Sequence, residues 1–439
     1  MKLDHVCLEN FRGFESLNLC LNGESAILYG ENGAGKSSIL RGIALLLSNI
    51  VYRSTSWAVK QQMGFDGNDV RVGTDKLSLS GLFDVGSNDK LQCGFSYQPG
   101  HIQEDASLDS FKALFEKLCR NENAGLPVFA YYGVNRAITA VPLRGKVPQG
   151  KLAAYKGALG QTTFRSFFEW FRAQEDIEIE EREARQDPDY QDPALRAVHT
   201  AIYAAIPAIS DLKVCRSPLR LSLLKNGQRL FVEHLSAGER CTLALMGDIA
   251  RRLAIANPHL EDPLQGDGIV LIDEVEHHLY PAGQHSICRL LRNTFPNIQF
   301  VLTTQSPVVL GETGKDYNVF RVGSGGEVEP RDILFCDANM VLEREMGVSQ
   351  INPAIKELES LVMLYAMAGE LYLTERASAR LNALTGGTSE AITEAAMIVS
   401  RVRKGGKPAS VFNLEAEDAK LNGLAVKPGP VIPLPQERD

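Results

Sequence analysis

A chain of 439 residues, 44% apolar and 23% charged, has the composition of a soluble globular protein and exceeds the length of one ordinary hydrophobic core. Its net charge of −8 argues against a protein coated in nucleic acid, while leaving room for a local basic patch. No run approaches the ~18 consecutive apolar residues of a membrane helix, and the opening MKLDHVCLENFRGF lacks the apolar stretch of a signal peptide. A cytoplasmic protein with no membrane partner is expected. The eight cysteines are scattered without a C-x-x-C pair, which excludes a structural zinc site and leaves reduced, mostly buried thiols.

In chain order, the apolar run Ala26-Ile27-Leu28-Tyr29 leads into Gly30-Glu31-Asn32-Gly33-Ala34-Gly35-Lys36-Ser37, which satisfies G-x-x-x-x-G-K-[ST] in full. The glycines let the backbone curl so that successive N–H groups form an anion site. Lys36 adds a point charge for the β- and γ-phosphates, and Ser37 a hydroxyl for Mg²⁺. A helix expected from Ser37 to about Leu47 turns its positive end to the phosphates. Asn32, Gly33, Ala34, Gly35, Lys36, Ser37 and Ser38 are therefore the expected ATP-binding residues.

Residues 78–97 alternate and predict an antiparallel hairpin, and LPVFAYYGVNRA (126–137) predicts a buried strand leading into a loop. The basic stretch 141–157, with Arg144, Lys146, Lys151 and Lys156, suits either phosphate backbone or solubility, as does RVRKGGK (401–407). TTFRSFFEWFRAQEDIEIEEREARQD (162–187) predicts a helix with Phe164, Phe167, Phe168, Trp170 and Phe171 on its early face and a solvated acidic second half. DPDYQDP breaks it, and a second helix begins at ALRAVHTAIYAAI.

Leu235-Ser236-Ala237-Gly238-Glu239 precedes the helical run CTLALMGDIARRLA, so Ser236 is placed as a helix cap or as part of a second anion site. Gly268–Ile272 is a continuous apolar run, as in a strand buried on both faces, and ends in Asp273-Glu274. Asp273 is expected to hold Mg²⁺ through water, with Ser37, and Glu274 to polarise the attacking water. Phe300–Leu302 is a further apolar strand, ending in Thr303-Thr304-Gln305. Beyond it, residues 350–404 read as three helices with apolar stripes, and 427–439 as an extended Pro-rich tail.

LSAGE resembles the signature motif of ABC-type ATPases, and the four motifs together resemble the RecF/SMC/OLD-type branch. That resemblance implies ATP held between two copies of the chain, with Ser236, Gly238 and Glu239 of one copy capping the γ-phosphate of the other. It also implies that the opening LDHVCLENFRGFESLNLCL is a hairpin with Asn10–Phe14 near the nucleotide, and that Gln305 stands where the branch usually carries His. An amide takes no proton at neutral pH, so binding is retained and fast hydrolysis is put in doubt; Gln305 is nonetheless taken with Glu274 as a catalytic candidate. His278 fills the His position of the OLD-like "DE.E.HLHP" pattern, with a structural or a catalytic role. AYYGVNR, FFEWF and the C-terminal helices are similar to PtuA-type ATPases of Septu and retron anti-phage systems, which work with a separate HNH endonuclease subunit.

The expected fold is α/β, an ABC-type P-loop ATPase head whose mixed sheet has flanking helices. Its expected parts are 1–109 and 216–335 as ATPase lobes, 110–215 as an inserted helical lobe, 336–404 as a C-terminal helical module and 405–439 as the tail. The expected function is an ATPase, dimeric or of higher order, that regulates or scaffolds an HNH nuclease and has no nuclease activity of its own; DNA is a further candidate partner. A RecF-like DNA-repair clamp, or a nucleotide-stabilised scaffold with little turnover, are the alternatives.

Overall fold

The computed structural model describes the chain apart from residues 56–62, 87–88, 106, 135, 137–149, 161–163, 334–335, 348–351, 387–388, 406–411, 414–415, 418–419 and 422–439. Its strands are β1 (Lys2–Phe11), β2 (Phe14–Cys20), β3 (Ala26–Tyr29), β4 (Leu77–Asp84), β5 (Lys90–Gln98), β6 (His101–Glu104) and β7 (Val128–Tyr132). They continue with β8 (Ile209–Arg216), β9 (Leu219–Lys225), β10 (Gln228–Phe231), β11 (Gly268–Ile272), β12 (Ile298–Thr303), β13 (Asn318–Val322) and β14 (Val328–Arg331). The helices are α1 (Lys36–Ser54), α2 (Leu108–Arg120), α3 (Arg165–Arg185), α4 (Pro193–Ala205), α5 (Ala237–Ala256) and α6 (Pro281–Thr294). Then come α7 (Pro307–Gly311), α8 (Ala338–Arg344), α9 (Pro353–Met367), α10 (Leu371–Thr385) and α11 (Glu390–Gly405).

Two apolar patterns produce two kinds of sheet. Alternation in β1 and β4 leaves one face buried and the other partly wet, and these strands form an antiparallel sheet in the order β2-β1-β4-β5-β6. The unbroken runs of β3, β11 and β12 are buried at every residue and build the centre of a second sheet, ordered β14-β13-β3-β12-β11-β7. All its pairings are parallel except β13 with β14. The register sets Leu28 beside Thr303 and Ile272 beside both Leu302 and Tyr132, which aligns four carboxyl-terminal strand ends along one edge. Ligands of such sheets bind at that edge.

Helix α1 packs against β1, β4 and β5 of the first sheet and β7, β11 and β12 of the second. A helix enclosed on both sides must be apolar all round, and Ile39, Leu40, Ile43, Leu45, Leu46, Leu47 and Ile50 are all buried. This is why it continues to Ser54, well beyond the expected end near Leu47. The sheets also meet through Gln299, whose buried amide accepts from the N–H of Leu3 at 2.6 Å and donates to its carbonyl at 2.8 Å.

The stretch 110–215 is not wholly helical. Val128–Tyr132 supplies the outer strand β7 of the parallel sheet, and Ile209–Arg216 joins β9 and β10 in a three-stranded sheet that the residue pattern does not separate. In the basic stretch 141–157, residues 141–149 lie outside the described residues. Lys151 there is committed to structure, donating to the carbonyls of Asn121, Glu122 and Ala124 at 2.9, 3.0 and 2.7 Å. All eight cysteines are free, but only Cys93, Cys241 and Cys288 are buried, which corrects the expectation of mostly buried thiols. Alternation along β2 turns Cys20 outward.

The chain divides into two units, Met1–Val341 and Leu342–Asp439. The second carries its own core of α9, α10 and α11, with Leu358, Val362, Tyr365, Leu373, Ala377 and Leu381 buried, and the Tyr365 hydroxyl donating to Glu417 at 2.5 Å. The tail at 427–439 and the end of the basic stretch 401–407 lie outside the described residues.

One buried ionic cluster braces the back of α5. Asp248 accepts from Arg251 at 2.7 Å, from Arg252 at 2.8 Å and from the Tyr132 hydroxyl at 2.8 Å, with all four side chains buried. Burial pushes the Asp248 carboxyl up, but Arg251, Arg252 and Tyr132 outweigh it and bring its pKa down to about 2. Removing one partner of such a cluster strands the others, so Asp248→Asn should lose about 3–5 kcal/mol in urea unfolding at pH 7. Because the folded pKa lies below the unfolded value of about 3.9, the stabilisation is complete above that value and declines as pH falls towards 2. The advantage of wild type over Asp248→Asn should therefore shrink by about 1 kcal/mol between pH 7 and pH 3.

Candidate functional site

The chain leaves β3 at Gly30 and returns as α1, so the loop 30–36 lies at the carboxyl edge of the parallel sheet. Gly35 caps α1 with φ +98°, and a Cβ there would fall 2.3 Å from Cζ of Phe14. Only glycine fits, for both conformation and space. No side chain caps α1, which leaves its first N–H groups for an anion. Asn32, Gly33 and Ser37 are exposed and Ser38 partly so, whereas Ala34 and Lys36 lie beneath them. Lys36 Nζ donates to the carbonyls of Gly30 and Glu31 at 2.8 and 2.9 Å. Burial pushes the Lys36 ammonium below its usual value, against the pull of Asp273, Glu274 and Glu276.

Three distant segments converge on Asp273. Its Oδ1 accepts from the Ser37 hydroxyl at 3.1 Å and from the Thr303 hydroxyl at 2.6 Å, and the carboxylate is 3% exposed. Thr303 Oγ1 in turn accepts from the N–H of Glu274 at 2.7 Å. The Gln305 amide donates from Nε2 to Glu274 Oε1 at 2.9 Å. Glu276 secures the switch segment, accepting from the Thr304 hydroxyl at 2.8 Å and the Gln305 N–H at 2.7 Å. A hydroxyl and a carboxylate in contact beside a phosphate cradle suit Mg²⁺, whose hard, oxygen-rich shell such donors supply. A partly exposed carboxylate, Glu274, stands next to them.

The residues Ser236, Gly238 and Glu239 form a separate group. Ser236 caps α5 by accepting from the Glu239 N–H at 3.2 Å, while Glu239 Oε2 accepts from the Ser236 N–H at 3.1 Å. Lys225 pairs with Glu239 at 2.6 Å. Among the described residues, no hydrogen bond or ion pair joins this group to the loop 30–38. Gly238 meets the turn after β11, where a Cβ would fall 2.4 Å from the carbonyl oxygen of His278. His278 itself has φ +68° and an exposed ring, and burial, with His277 and Arg136 nearby, pushes its imidazole down.

Thr303, Glu276 and Arg136 join the site without standing out in the sequence. Thr303 and Glu276 flank the singled-out Gln305 and Glu274, so their motifs carry the signal; Arg136 lies inside AYYGVNR, where nothing marks its role.

A family described as "AAA ATPase domain" matches residues 1–126, and one described as "AAA domain, putative AbiEii toxin, Type IV TA system" matches 155–311. The "Retron Ec83 probable ATPase" of Escherichia coli is 30% identical, with 84% of this chain and 82% of that protein covered. The chain belongs to the retron ATPase family. The chain also matches the Septu protein PtuA of Bacillus mycoides at 25% identity, over 70% of its own length and 38% of that of PtuA. Its fold is that of an SMC head: the structure of an SMC head bound to the C-winged helix domain of ScpA aligns over 76% of this chain and 99% of that head, with TM-score 0.50 and 13% identity. It is thus similar to a Septu PtuA protein, with the fold of an SMC head. Among the described residues, no helix is long and apolar enough to cross a membrane.

Thr303→Val should keep the strand while removing a donor to Asp273 and an acceptor for the Glu274 N–H, at a cost of about 1–3 kcal/mol for each buried group left unpaired. Mg²⁺-dependent ATP hydrolysis should fall at least about tenfold. Wild-type turnover in a steady-state phosphate-release assay would remove Thr303 from the site.

Proposed function

We propose that the chain binds ATP and Mg²⁺ at a site shared between two copies, and that turnover there controls a separate HNH nuclease in anti-phage defence. The observation that carries the reading is the hydrogen-bonded line Ser37–Asp273–Thr303–Glu274–Gln305 beside a glycine cradle and Lys36. Lys36 holds the β- and γ-phosphates, Ser37 and Asp273 hold Mg²⁺, and Glu274 polarises the attacking water. Gln305 orients that water through its amide. The signature residues Ser236, Gly238 and Glu239 are proposed to act on nucleotide held by the other copy; their separation from the loop 30–38 in the hydrogen-bond pattern supports this. The retron and Septu relatives support the defence role.

A scaffold with little turnover is the second reading, favoured by an amide at Gln305, which cannot accept a proton at neutral pH. Burst and steady-state phosphate release on the purified chain separate the two.

Lys36→Ala should weaken ATP binding about 10- to 100-fold, the size of a lost charge-assisted hydrogen bond. Glu274→Gln should keep ATP bound, hydrolyse it poorly and accumulate as a nucleotide-dependent dimer in size-exclusion chromatography. Mixing Lys36→Ala with Ser236→Arg chains in equal amounts should restore about a quarter of the activity, because about half of the dimers are mixed and one of the two sites in each is whole. No recovery means a self-contained site and overturns the shared one.

A further inference from the structure

Arg136 follows β7 and is 2% exposed. Among the described residues no carboxylate is bonded to it. Its guanidinium instead grips main chain: Nη1 donates to the Asp273 carbonyl at 2.5 Å and to that of Gly133 at 3.3 Å, and Nη2 donates to the Glu274 carbonyl at 2.5 Å. A buried cation spent on carbonyls, with its Nε unpartnered, is an expensive way to brace a turn.

What the clamp holds is unusual. Successive carbonyls of a strand point to opposite sides, so one planar fork cannot reach both. Glu274 departs from the strand with φ +48°, a left-handed conformation that residues bearing a Cβ seldom adopt. This kink brings the carbonyls of Asp273 and Glu274 onto one side, where the two arms of Arg136 meet them. Beyond the kink the Glu274 carboxylate faces Gln305 at 2.9 Å and His277 at 3.7 Å. The thiol of Cys241, on the helix that begins with the signature turn, is a neighbour of the guanidinium.

We propose that Arg136 is a positioning residue for ATP hydrolysis: by clamping the main chain of Asp273 and Glu274 it holds Glu274 in its left-handed conformation and aims the Glu274 carboxylate at water. The proposal rests on Glu274 being the carboxylate that polarises water. Lysine keeps the charge but not the planar fork, and cannot span two carbonyls in the same way.

The test uses four full-length variants, Arg136→Lys, Arg136→Gln, Glu274→Gln and the double variant Arg136→Lys/Glu274→Gln. ATP affinity, kcat, KM and urea unfolding are measured on each. Arg136→Lys and Arg136→Gln should both lower kcat about 100-fold while ATP affinity stays within about twofold of wild type. The double variant should be no slower than Glu274→Gln alone, because the clamp has no carboxylate left to aim. Should Arg136→Gln fail to fold, Arg136→Lys, which retains the buried charge, decides. Unchanged kcat, a parallel loss of kcat and ATP binding, or losses that multiply in the double variant each overturn the proposal. Full turnover by Glu274→Gln would refute the role of Glu274, and the clamp's role with it. An inactive Glu274→Gln beside a fully active Arg136→Lys would refute the clamp alone.

Discussion

A helix apolar on every side has one stable location, between two apolar faces, and α1 takes it. The antiparallel sheet covers one side and the parallel sheet the other, so the helix cannot roll or slide without exposing a leucine or isoleucine. Its first turn is therefore fixed at the carboxyl edge of the parallel sheet. Everything chemical in the molecule is arranged around that turn: the loop 30–36 arrives from β3, and β11, β12 and β7 deliver Asp273, Thr303 and Arg136 to the same edge.

Around this apolar centre, polar groups are buried where partners meet them. Asp248 sits among two arginines and a tyrosine, while Asp273 is held by two hydroxyls. Both clusters touch β7 or the segment after it: Tyr132 donates its hydroxyl to Asp248 and accepts the Asp273 N–H at its carbonyl at 2.8 Å. One residue thus ties the brace behind α5 to the segment that bears Asp273. Such a strand would be easy to dismiss as a sheet edge, yet it links two ionic groups that sequence distance keeps far apart.

Much of the ATPase head is legible in the sequence, because its signals are local. The glycine spacing of 30–37, the apolar runs of 268–272 and 300–302, and the pattern in 350–404 specify their elements through their own residues. What escapes is non-local. Residues 126–132 read as a buried strand, but their seat beside β11, inside a stretch that reads as a helical insert, depends on a parallel crossover that periodicity cannot see. Residues 209–231 form a sheet of their own, with a bulge between Ser210 and Lys213 that blurs the alternation. Arg136 is invisible for a different reason. Its partners are carbonyl groups, which every residue possesses, so no side-chain pairing announces it. Thr303 and Glu276 lie within legible motifs, but their support of a neighbour looks, in sequence, like ordinary strand-end polarity.

The contact of Gly238 with His278 has a mechanical meaning. Main chain there lies directly on main chain, with no side chain between α5 and the turn that follows Glu274. A layer of side chains absorbs a small displacement by changing rotamers; a bare backbone seam has no rotamers to change. Push the start of α5 by a fraction of an ångström and the turn must move with it, as one stiff lever. The start of α5 and the turn that follows Glu274 are in that sense one moving part, and whatever presses on the first is felt at the second.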